Sequence, residues 1–137
     1  MRSSSWIAIV SLGLACAGCG GGDSPGGMTQ NTGPVTIQTV QAAVFSPSCA
    51  VSMCHIGGGA PFGLDLSQGQ ALGNLRDVAS SEMPQFYRVE RFEPDDSYLY
   101  MKVIADPRIS GDPMPAQGSL TASQISLLRQ WIEQGAN

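Results

Sequence analysis

The sequence predicts a small all-α domain, and three observations carry that expectation. Four segments space their apolar residues as one face of a helix does, several of these segments start or stop on capping residues, and no run alternates apolar and polar residues with period two. The chain of 137 residues has room for one such domain of about 100 residues and a terminal extension. A core of that size is marginal unless something adds to it, and a buried cofactor would.

The first element is an address. Arg2 and the apolar run over residues 6–17 predict an export signal at 1–18, too short to span a bilayer. Its end, Ala17-Gly18 before Cys19, resembles the lipobox of bacterial lipoproteins, which makes Cys19 the expected acylated residue. Cys16 is the alternative, but a cut before it puts Gly13 at a position it fits poorly. Residues 19–34, rich in Gly, Ser, Pro, Thr and Asn, form a flexible tether with too little apolar surface to fold. Gly20 carries no aspartate-type retention signal, so by resemblance to other lipoproteins the anchor points to the outer rather than the inner membrane, on the periplasmic side. The folded domain is then 35–137.

Its first helix covers 35–45, with Ile37, Val40 and Val44 on one face, and Ser46-Pro47 ends it just before Cys49. With Cys16 and Cys19 accounted for, Cys49 and Cys54 are the domain's cysteines, and the chain's single histidine follows the second: Cys49-Ala50-Val51-Ser52-Met53-Cys54-His55. This is a lengthened form of the C-x-x-C-H signature for covalent attachment of a c-type haem. Two thiols add across the vinyl groups, and a histidine beside the second thiol is pinned under the iron, where neutral imidazole is a good axial ligand. Two extra residues between the cysteines can loop outward without moving the Cys-His pair. Two other readings stay open at this point: a Cys49–Cys54 disulfide with His55 incidental, and a structural zinc site lacking a specified fourth ligand.

The triple glycine Gly57-Gly58-Gly59 either permits close approach of backbone to a flat ligand or is a plain turn. The second helix is expected to begin on a capping box, Ser67 with Gln70, and to run through Leu72 and Leu75 to about Val78. Asp95 or Asp96 would cap the third, which passes Leu99 and Val103 and stops before Pro107, with Tyr98 and Tyr100 packed half-buried. The fourth has Thr121 as N-cap, Gln124 three residues on, Leu120 and Ile125 as a hydrophobic staple, an inner stripe of Ile125, Leu128, Trp131 and Ile132, and Gly135 as its stop.

A single histidine excludes bis-histidine haem within a monomer, leaving methionine, another group or an open position as sixth ligand. Met114 lies between Pro113 and Pro115, which stiffen an extended loop and present one thioether. Met83, before Pro84, is the alternative, and Met101 on the third helix fits core packing better. The other ring nitrogen of His55 needs an acceptor, and the Pro61 carbonyl is the candidate.

Acidic residues outnumber basic ones by 11 to 7, and the basic ones stand singly, so no cationic stripe exists for nucleic acid. The same balance suits a partner with a basic docking face. Without a second histidine a serine or cysteine hydrolase dyad lacks its usual base, and Asp95-Asp96 are explained as helix-start residues, so an enzyme is not expected.

The pieces in order resemble the single-haem cytochrome c domains of the class I type found in secreted proteins of planctomycetes and myxobacteria. The matching pieces are the spaced Cys49, Cys54, His55 site with its glycines, Gly63-Leu64-Asp65-Leu66-Ser67, Arg88-Val89, Pro94-Asp95-Asp96-Ser97-Tyr98-Leu99-Tyr100, Met114-Pro115, and the ending from Leu120 to Ala136. The resemblance implies about four helices wrapped around one haem c bound through Cys49 and Cys54, with His55 proximal and Met114 distal. It also implies one-electron transfer to redox partner proteins of a respiratory or periplasmic chain, at the raised potential that Met/His ligation gives. The rival functions are a haem-based sensor with an open sixth position and a haem-free scaffold lipoprotein.

Overall fold

The computed structural model describes residues 33–137. The signal, Cys16, Cys19 and all but the last two residues of the tether lie outside the described residues.

Thr36 opens the first helix, its hydroxyl accepting from the Thr39 N–H at 3.4 Å. Helix α1 (Ile37–Val40) runs on without a break into one π turn (Gln41–Phe45) and a last turn (Ser46–Ser48). Pro47 sits inside that last turn rather than beyond it. Lacking an N–H, it leaves a carbonyl one turn earlier without its helical donor, and the Ala43 carbonyl is met instead by Gln124 Nε2 at 2.7 Å. The helix therefore survives its proline and ends immediately before Cys49.

Helix α2 (Ala71–Leu75) is shorter than the sequence predicts, and the expected capping box is not made. The Asp65 carboxylate takes the Ser67 N–H at 2.9 Å, Gly69 turns the chain at φ +85, and the helix starts only at Ala71 with no side-chain cap on Gln70. It stops at Leu75 because Arg76 turns extended to pair with Val89, so Val78 lies outside it. That bridge and one between Ala79 and Tyr87 are isolated pairs, and no strand forms among the described residues.

A 3₁₀ turn (Pro94–Asp96) precedes α3 (Tyr98–Val103). Neither Asp95 nor Asp96 caps that helix, contrary to expectation. Ser97 stands at the N-cap with its hydroxyl turned back to the main chain of Glu90 and Glu93. Asp95 instead binds Arg129 at 2.9 Å and Asp96 faces Arg108 at 3.5 Å. The Arg129 hydrogen bond holds the Asp95 carboxyl below its ordinary range. Helix α4 (Ala122–Glu133) has both arms of its capping box between Thr121 and Gln124, and Gly135 stops it at φ +93.

The all-α core forms where α1 meets α4. Val40, Val44, Phe45, Leu75, Val89, Leu128, Trp131 and Ile132 are wholly buried, and Phe45 meets Trp131 edge to face at 6.2 Å. Leu120 and Ile125, the expected staple, both join this cluster. The Asn137 carbonyl accepts from Ile37 N at 2.8 Å and from Trp131 Nε1 at 3.0 Å, which fixes the start of α1 against the end of α4. No helix among the described residues is long and apolar enough to cross a membrane.

Candidate functional site

The last turn of α1 delivers Cys49, whose N–H still bonds to the Phe45 carbonyl at 2.9 Å. The following residues close on themselves: Cys54 N donates to Val51 O and His55 N to Cys49 O, both at 3.0 Å. The spacer is thereby pushed outward, with Met53 98% exposed at φ +68. The Cys-His pair stays anchored to Cys49 while the extra residues loop into solvent.

His55 is bracketed from its far side. Its carbonyl accepts from Leu66 N at 2.9 Å, and its Nδ1 lies 3.1 Å from the Leu64 carbonyl. A carbonyl oxygen only accepts, so Nδ1 carries the proton and Nε2 keeps the lone pair a metal needs. The acceptor is Leu64 rather than Pro61, whose carbonyl is engaged by Leu64 N at 3.0 Å in the 3₁₀ turn Pro61–Gly63.

Both thiols are free; Cys49 is half-buried and Cys54 exposed. Burial, and after it the neighbouring charge of Cys54, pushes the Cys49 thiol up to about 11.

Cys49, Cys54, His55 and Met114 line one cavity of about 270 Å³, close to the small end of the ~300–1,000 Å³ usual for ligand sites. Its walls are Leu64, Leu66, Leu75, Leu99 and Val103, and its mouth carries Met53 and the 65% exposed Phe62. Met83 does not line it: the Met83 N–H bonds to Ser80 Oγ and its sulfur lies 3.9 Å from Gln85 Nε2. Met101 is wholly buried and also off the lining, in keeping with a packing role.

Comparison with protein-family models, with curated proteins and with solved structures finds no match. Fold and function rest on the residues themselves.

Two lining residues had no chemical role in the sequence reading. Arg88 is 9% exposed, and its guanidinium donates to Asn74 O at 2.9 Å, Phe62 O at 2.8 Å and Ser81 Oγ at 3.4 Å. All three acceptors are neutral, and no carboxylate among the described residues pairs with it. Desolvation lowers its pKa, but a guanidinium stays charged, so the cavity has a buried positive edge. Lys102 is the second, its ammonium held by Glu82 and by two main-chain carbonyls. In sequence each is one of seven scattered cations, and only burial distinguishes them.

Among the described residues no group of three His, Cys, Asp or Glu side chains is arranged to hold a bare metal ion. The donor set instead fits a macrocycle that brings its own equatorial ligands. It offers two thiols, one imidazole with its other nitrogen committed, one thioether, an apolar wall and a cationic edge for carboxylates.

Proposed function

We propose that residues 35–137 form a class I type mono-haem cytochrome c domain that passes single electrons between redox proteins, tethered through a lipid on Cys19 to the periplasmic side of the outer membrane. The observation that carries this reading is the convergence of Cys49, Cys54, His55 and Met114 on one apolar cavity.

When bound, haem supplies an iron that alternates between Fe(II) and Fe(III). The chain's part is to hold everything else still. The thiols of Cys49 and Cys54, both free, would hold the ring covalently. His55 offers Nε2 from an imidazole whose plane the Leu64 carbonyl sets. The Met114 thioether, on the same cavity, would be the second side-chain ligand available to the iron and would raise the potential. The leucine wall excludes water, and Arg88 suits an anionic ring edge, since three of its five N–H groups go to neutral oxygens and no carboxylate among the described residues offsets its charge.

Two measurements test the reading on full-length protein made with a haem-attachment system. A pyridine haemochrome should report one covalent haem per chain, and a colourless product would falsify the proposal. The ferric protein should show the red-region sulfur-to-iron band, lost in Met114→Ala and kept in Met83→Ala. Its absence from wild type would instead favour a sensor with an open sixth position.

A further inference from the structure

The haem reading leaves a question of selection: which thioether reaches the cavity, and what keeps it there. The segment around Met114 has few handles of its own. Pro113 and Pro115 supply no N–H, so over 113–115 the Met114 amide is the single main-chain donor. That amide donates to the Lys102 carbonyl at 2.9 Å.

The side chain of the same lysine reaches the loop a second time. Lys102 Nζ donates to Ser110 O at 2.6 Å and to Asp112 O at 3.1 Å, the carbonyls four and two residues before Met114. Its third donor goes to the Glu82 carboxylate at 3.0 Å, on the residue next to Met83. An ammonium has three protons, and all three are spent. The side chain is only 6% exposed, so water does not replace these bonds at little cost. Tyr98, one turn earlier on α3, adds a contact at Ser110, whose N–H bonds to the phenol oxygen at 3.0 Å.

We propose that Lys102 is the positioning residue for the distal ligand: its main chain and side chain together hold the 110–114 loop so that Met114 lines the cavity, while its bond to Glu82 ties that loop to the neighbouring 80–82 segment of the cavity wall, from which Met83 is turned away. The proposal rests on the haem reading. The predicted consequence of losing the clamp is a loop that leaves more often, giving an external ligand access to the iron.

The test uses the full-length chain with Lys102→Met, Lys102→Gln, Glu82→Gln, Met83→Ala and Met114→Ala, and two readouts. In haem-loaded ferric protein, imidazole should bind Lys102→Met about tenfold or more tightly than wild type, because apparent affinity rises with the open fraction. Met114→Ala should bind tighter still, Glu82→Gln should shift less because both loop carbonyls keep their donor, and Met83→Ala should match wild type. Lys102→Gln, which retains one donor, should fall between wild type and Lys102→Met. The second readout needs no haem: the Met114 amide should exchange at least about tenfold faster in Lys102→Met while amides of α4 are unmoved. Wild-type imidazole affinity and wild-type exchange in Lys102→Met overturn the assignment. A wild type that never takes up haem overturns the functional reading instead and leaves the exchange experiment to judge the clamp.

Discussion

The α1–α4 end of the domain and the 51–63 loop are built on different principles. At the helical end Phe45, Leu128, Trp131 and Ile132 are wholly buried against one another, so the chain supplies its own filling. In the loop Val51, Met53, Ile56 and Phe62 are exposed, and a Cβ added at Gly57, Gly58 or Gly59 would meet nothing within 4 Å. The loop's hydrogen bonds are largely internal, as in Ala60 N to Gly57 O and Gly63 N to Ala60 O. Its ties outward run through His55, bonded to Cys49, Leu64 and Leu66, and through Arg88 at the Phe62 carbonyl. On the haem reading, a segment that keeps apolar side chains in water beside an apolar cavity is what the ring would cover, and the helical end needs no such cover. Stability and binding should therefore separate on mutation.

The largest effect should come from the helical end. Trp131→Ala removes the edge contact with Phe45 and the indole N–H bond to Asn137 O, and should cost about 3–5 kcal/mol in urea unfolding. Trp131 does not line the cavity, so the loss should be alike in haem-free and haem-loaded protein. A cost below about 1 kcal/mol would mean that this cluster is not the core.

The second effect tests the loop side. In reduced, haem-free protein at pH 8, iodoacetamide should label exposed Cys54 markedly faster than half-buried Cys49, because the thiolate reacts and burial suppresses it at Cys49. With the Cys49 thiol pushed up to about 11, about one molecule in a thousand is ionised at pH 8, and the fraction grows as pH rises toward that value. Labelling of Cys49 should climb steeply between pH 8 and pH 10, as followed by peptide mass spectrometry. Equal rates at pH 8 would contradict the half-buried placement of Cys49.

The same division governs what the sequence disclosed. Thr121 with Gln124, the Leu128–Trp131–Ile132 stripe and Gly135 were legible because their partners lie within a few residues and the pattern is the structure. Cys49, Cys54, His55 and Met114 stood out in sequence because the histidine is single, it adjoins a cysteine, and the methionine is bracketed by prolines; the structure brings all four to one cavity. The Ser67–Gln70 box failed because Asp65, two residues upstream, competes for the Ser67 N–H and Gly69 breaks the turn. The Leu64 acceptor was missed for a related reason, since the 3₁₀ turn turns the Pro61 carbonyl to Leu64 N and frees the Leu64 carbonyl for His55. Arg88 and Lys102 could not be read at all. Most of their partners are main-chain carbonyls, some distant in sequence, and any residue type supplies a carbonyl.

The smallest effects come from a pair of glycines that look alike in sequence and differ in what surrounds them. Gly135 ends α4 at φ +93, and an added Cβ would lie 2.8 Å from Cε1 and Cζ of Phe92. The half-exposed ring can swing away, but the backbone cannot relax without losing the Ala136 N to Trp131 O bond that closes the helix. Gly135→Ala should therefore cost about 1–2 kcal/mol from the left-handed backbone alone. Gly58 has no such φ and no neighbour within 4 Å. Gly58→Ala should leave haem-free stability unchanged or raise it by about 0.4–1 kcal/mol through the unfolded chain. If Gly58→Ala is neutral in haem-free protein yet lowers haem uptake, the glycine serves close approach to the ring. If it is neutral in both, the triple glycine is a turn and nothing more.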